Sequence, residues 1–106
     1  MELVLLSNVK TLINAAAIGA QTGTAYAAPA NANTFTWQTI YTGGPSAVNV
    51  VIEGSLNNST WATIDTSTAT AGEIRTFNSN IAFFRARMVS NTGGTTITVL
   101  IIPKVL

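Results

Sequence analysis

The sequence predicts an all-β chain: an antiparallel, jelly-roll-like β-sandwich of about seven or eight strands with little or no helix. Two observations carry this. The β-branched residues Thr, Val and Ile are abundant, and their stiff side chains suit pleated strands better than helices. Clusters of Gly, Asn and Ser punctuate the chain at short intervals, the rhythm of many short strands joined by turns.

Taken in order, Glu2–Leu6 reads as a short first strand. The run AAAIGA at 15–20 has the alanines of a helix start, but Gly19, Gly23 and Pro29 would soon end one, so an irregular strand is expected there. From residue 34 the period becomes two. TFTWQTIYT places Phe35, Trp37, Thr39 and Tyr41 on one face. GGPS (43–46) turns the chain, and AVNVVIEGSL aims Val48, Val50 and Ile52 at the core and Asn49, Val51 and Glu53 away from it. In GSLNNSTW the asparagines tolerate left-handed backbone and Ser59 is a candidate cap, so a hairpin corner is expected with Leu56 and Trp61 on its two strands. WATID returns, TSTATAG is read as a polar loop outside the core, and EIRTF is a further strand. FFRARMV separates Phe84, Ala86 and Met88 from Phe83, Arg85, Arg87 and Val89. After NTGG, the strand TTITVLII carries apolar residues on both faces, with Leu100 and Ile102 on the second, so a loop or a neighbouring subunit is expected to cover that face.

At 106 residues the chain makes one domain, 1–106, of which 1–30 is a loosely patterned segment available for assembly contacts. Charged residues are 8% of the total, against roughly 25% in a typical soluble domain. Copies of such a chain repel one another weakly. Two settings tolerate this: a permanent assembly, or a secreted domain with a Thr-rich surface. Net charge is +1 with no basic stripe, so no nucleic-acid partner is expected. AYA before Ala28 imitates a signal-peptide cleavage site, but Glu2 and the polar residues Ser7, Asn8 and Lys10 break the pattern such a segment needs. No stretch approaches the roughly 20 apolar residues that span a bilayer, so no membrane partner is expected.

The chain has no His and no Cys. That excludes a Ser-His-Asp triad, a cysteine nucleophile and a nitrogen or sulfur zinc site, and no acidic run suits calcium. Glu53, Asp65 and Glu73 are the carboxylates a glycosidase would need, but each reads equally as a surface charge or an arginine partner. Neither an enzymatic activity nor a cofactor is expected. Arg85 and Arg87 share a strand face, where they would pair with Glu53 or Glu73 or grip a carboxylate on a partner subunit. Trp61 is the candidate glycan contact, although Trp37, Tyr41 and Trp61 all also read as core aromatics.

The stretch VNVVIEGSLNNSTWATIDTSTATAGEIRTF followed by FFRARMVSNTGGTTITVLI resembles small β-sandwich proteins encoded among the structural genes of tailed bacteriophages. The similarity lies in Val50, Ile52, Glu53, Gly54, Ser55, Leu56 and Trp61, then Gly72, Glu73, Arg75 and Phe77, then Phe84, Arg85, Ala86, Gly93, Gly94, Thr98 and Val99. It covers about two-thirds of the chain, and residues 1–30 match loosely. Asn57-Asn58 stands where those chains usually have Asp-Gly, which removes an acidic residue from the turn tip. The same turn is similar to one in discoidin-like carbohydrate-binding domains. The resemblance implies a virion structural protein made in the host cytoplasm. It suits a capsid decoration protein that binds the major capsid protein or other virion proteins as a homo-oligomer, with Arg85, Arg87, Leu100 and Ile102 as candidate interface residues. Tail, neck or fibre accessories and a glycan-binding module for host attachment are the alternatives.

Overall fold

The computed structural model describes residues 9–104, so the expected strand Glu2–Leu6 lies outside the described residues. Nine strands are present among the described residues: β1 (Lys10–Ala17), β2 (Gln21–Thr22), β3 (Tyr26–Ala27), β4 (Thr34–Thr42), β5 (Ala47–Ser55), β6 (Ala62–Ser67), β7 (Ile74–Asn78), β8 (Phe83–Thr92) and β9 (Thr96–Lys104). Among the described residues there is no helix. The strands form two antiparallel sheets, β1-β9-β4-β7 and β2-β8-β5-β6, with β3 also on β8. β1 lies beside β9, β2 and β3 beside β8, β4 beside β7, and β5 beside β6. That nesting of early strands against late ones is a paired ribbon rolled on itself, the jelly-roll arrangement.

The two-residue period decides what is buried. Phe35, Trp37 and Thr39 of β4 point inward with Ile97, Val99 and Ile101 of β9. They meet Val48, Val50, Ile52, Phe84, Ala86 and Met88 from the other sheet. Phe35 and Phe77 of one sheet pack on Phe84 of the other, with ring centroids 4.6 to 5.5 Å apart. Such offset and tilted pairs stabilise the contact beyond the area they bury.

The stretch expected to be an irregular strand is one. β1 changes register against β9 on both sides of Ile13, and Ala15 has φ of 44°. A bulge of this kind bends an edge strand. Elsewhere three expectations are corrected. Leu56 and Trp61 flank the β5–β6 corner instead of belonging to its strands, and Leu56 is 76% exposed. Asn57 caps the corner in place of Ser59: its Oδ1 accepts the amides of Ser59 and Thr60 at 2.9 and 2.8 Å, while Asn58 takes φ of 56°. Ser67 is buried within β6, although TSTATAG read as a loop; Glu73 accepts its hydroxyl at 2.6 Å, which removes the cost of burying it.

Candidate functional site

Two polar networks hold six of the nine charged residues. The first sits on the outer face of the five-stranded sheet. Glu53 on β5 lies directly opposite Arg85 on β8, and Val51 opposite Arg87. One carboxylate therefore receives two guanidinium groups, Arg85 Nε at 2.8 Å on Oε1 and Arg87 Nε at 3.2 Å on Oε2. The Glu53 side chain is only 9% exposed, whereas those of Arg85 and Arg87 are 26% and 40% exposed. Both arginines use Nε, so their Nη groups are not needed to hold Glu53. Trp61, just before β6, stacks beneath Arg85 with the guanidinium carbon 4.3 Å from the ring centroid. Trp61 is thus half-buried on this outer face and not in the core, and one face of its ring is already occupied. Of the two expected acidic partners, Glu53 serves both arginines, while Glu73 belongs to the second network.

That second network closes the open edge between β6 and β7. Trp37 projects inward from β4, yet its Nε1 reaches across the sandwich to donate to Asp65 Oδ2 on β6 at 2.9 Å. Arg75 Nε, on β7, donates to both Asp65 oxygens at 3.1 and 3.0 Å. Arg75 also lies 3.6 Å from Glu73, whose amide donates to the Thr39 hydroxyl. Burial pushes the Asp65 carboxyl up, but hydrogen bonds from Arg75, Trp37 and the Thr66 amide outweigh it and hold it below the ordinary aspartate value. A carboxyl held low and gripped on both oxygens is unsuited to donate a proton near neutral pH. Among the described residues, no group of three or more His, Cys, Asp or Glu is placed to hold a metal ion. The spacing of Trp37, Asp65 and Arg75 carried no signal of this contact.

Leu100 and Ile102 are half-buried on the outer face of the four-stranded sheet. With Val9, Thr36, Gln38 and Ile74 they line a shallow depression. They stand on the opposite sheet from Arg85 and Arg87, so the four candidate interface residues form two surfaces and not one. Among the described residues, no helix is long and apolar enough to cross a membrane.

No family model matches the chain, and no curated protein matches it in sequence. Its fold does recur among solved structures. It is similar to the SPBc2 prophage-derived protein YomS, with 13% identity and a TM-score of 0.66, over 89% of this chain and 90% of that one. The PBSX exported protein XepA is similar over 92% of this chain at 14% identity and a TM-score of 0.67, but the chain spans only 37% of XepA. A protein of the disulfide-linked Bacillus endospore appendages covers the whole chain and 91% of its own length at 12% identity, with a TM-score of 0.51. At such identities the likeness establishes a shared β-sandwich fold.

Proposed function

We propose that the chain is a non-enzymatic structural protein of a phage or prophage particle, and specifically a capsid decoration protein on the outside of the head. The observation that most supports this is the end-to-end correspondence with YomS, a prophage-derived protein built as the same single sandwich over 90% of its length. The 8% charge content suits a protein held in a dense array better than one kept apart by repulsion. In this reading each copy bridges neighbouring subunits of the major capsid protein, and the area it buries must be exposed again before the shell opens. The Glu53-Arg85-Arg87 face is the shell-facing candidate. Its guanidinium groups are already oriented by Glu53 and Trp61, so less side-chain freedom is lost when a carboxylate or backbone carbonyl docks.

Quantitative mass spectrometry of purified particles tests the proposal through the copy number of this chain relative to the major capsid protein. A ratio near one, or a simple fraction of it, fits decoration. A handful of copies moves the chain to the neck, tail or fibres, and absence from particles refutes the structural role.

A further inference from the structure

β9 carries apolar side chains at two successive outward positions, Leu100 and Ile102. A strand that is apolar on both faces is normally covered on both. Cross-strand pairing sets Ile102 beside Thr36 and Leu100 beside Gln38, with Ile74 beyond Gln38 on β7. Lys10 lies opposite Ile101, so Val9, one residue earlier, falls level with Ile102. Between these two rows lies a depression of about 150 Å³, with Val9, Thr36, Gln38, Ile74, Leu100 and Ile102 in its lining. None of its lining residues is charged. An apolar cavity of about 150 Å³ holds a benzene-sized group, so one leucine side chain fits.

We propose that this depression is the docking site of the chain's own first residues, and that the run Leu3, Val4, Leu5 and Leu6 of the same copy fills it. The place where the described chain begins is the first reason. Val9 is the first described residue and itself forms part of the rim, so residues 1–8 start from the recess. Reach is the second. From β1 across β9 and β4 to β7 is three inter-strand steps, roughly 14 Å, and five extended residues span about 16 Å. Ser7 and Asn8 are residue types that favour the turn needed to leave β1 over the face. The third reason is chemistry. Leu3, Val4, Leu5 and Leu6 match an uncharged recess, and Glu2, the one charged side chain before Val9, is opposite in sign to Lys10 and Lys104 of this sheet. Fourth, the route beside β1 is taken. The Leu12 carbonyl accepts the Thr24 amide at 3.2 Å, and a Cβ at Gly23 would collide with that same oxygen, so residues 23 and 24 occupy the far edge of β1. A tethered segment also acts at an effective concentration in the millimolar range, which favours the same copy over a second one in dilute solution. The docking gives β9 cover on both faces. It is independent of the particle assignment, because it is read on the purified chain.

Methyl NMR of the full chain tests it. Nuclear Overhauser contacts are expected from Leu3, Val4, Leu5 or Leu6 to Ile74, Leu100 or Ile102 within one copy. An isotope-filtered mixture of labelled and unlabelled chain is expected to show none of them between copies. Leu100→Lys puts a charge into the recess. It is expected to abolish the contacts and to speed proteolytic cleavage within residues 1–8 by roughly tenfold or more, with unchanged circular dichroism. Leu56→Lys, an exposed apolar residue on the β5–β6 corner, is expected to alter neither. Absence of the contacts in the wild type overturns the proposal whether or not Leu100→Lys folds. Contacts found only between copies overturn it too, because the occupant would then be a neighbour's segment. So does cleavage equally fast in wild type and Leu100→Lys, or equally accelerated by Leu56→Lys.

Discussion

Replacing Asp65 with Ala should destabilise the fold by about 1.5–3 kcal/mol. The figure comes from one contact. Trp37 is 1% exposed, and its Nε1 donates to a charged oxygen at 2.9 Å. Without Asp65 that donor stays buried and unpaired, which costs its full desolvation. The ion pair with Arg75 adds little, because the Arg75 side chain is 40% exposed and water screens it. Asp65→Asn keeps an acceptor but loses the charge assistance, so roughly half the penalty is expected. Urea unfolding followed by far-UV circular dichroism measures both variants. A double-mutant cycle with Trp37→Phe isolates the pair, with an expected coupling of about 1.5 kcal/mol. A coupling under about 0.5 kcal/mol, or an Asp65→Ala variant as stable as wild type, would refute the inter-sheet clamp.

Because the Asp65 carboxyl is held below its ordinary value, its contribution to stability is complete above the unfolded aspartate range near 3.9 and is lost as pH falls through the lower folded value. Urea midpoints measured down the acid range should therefore fall less steeply in Asp65→Asn than in wild type. Removing Glu53 by Ala leaves Arg85 and Arg87 facing each other without their shared counter-charge. The cost is expected at about 1–2 kcal/mol, below the 3–5 of a fully buried pair because both arginines are partly exposed, and added salt should reduce it. Gly72→Ala should lose more than about 1 kcal/mol in thermal unfolding, since Gly72 has φ of 82° and an added Cβ would meet the Thr39 carbonyl oxygen. Tyr41→Phe should change stability by less than about 1 kcal/mol in the same assay, because the buried Tyr41 hydroxyl makes no well-formed hydrogen bond among the described residues and has the Thr39 side chain near it.

Within single strands the period of two made the fold legible. TFTWQTIYT and FFRARMV declared which residues face inward, and β4 and β8 follow them residue by residue. Burial on the outer face was not legible. Val51 and Glu53 point away from the core as expected, yet both are buried, because they lie opposite Arg87 and Arg85, whose long stems cover the sheet. Trp61 was misplaced for a related reason. Its surroundings are set by Arg85, 24 residues later, and local pattern cannot distinguish a core indole from one stacked on a guanidinium. The Trp37–Asp65 bond joins different sheets across 28 residues, so its signal exists only once the sandwich is closed.

The scarcity of charge acts more strongly than the composition suggests. Of the nine charged residues, Glu53, Arg85 and Arg87 form one network of net +1, and Asp65, Glu73 and Arg75 form another of net −1. Within each, opposite charges are held close enough to cancel most of their field at a distance. Of the other three, Lys10 and Lys104 alone are among the described residues, near the same end of β1 and β9. Solvation of the remaining surface therefore rests on threonine hydroxyls and side-chain amides, which attract water without repelling another copy. The Arg85–Arg87 network keeps a net charge of +1 on the outer face of the five-stranded sheet, and Lys10 and Lys104 belong to strands of the four-stranded sheet, so the positive charge of the described residues is divided between the two sheets.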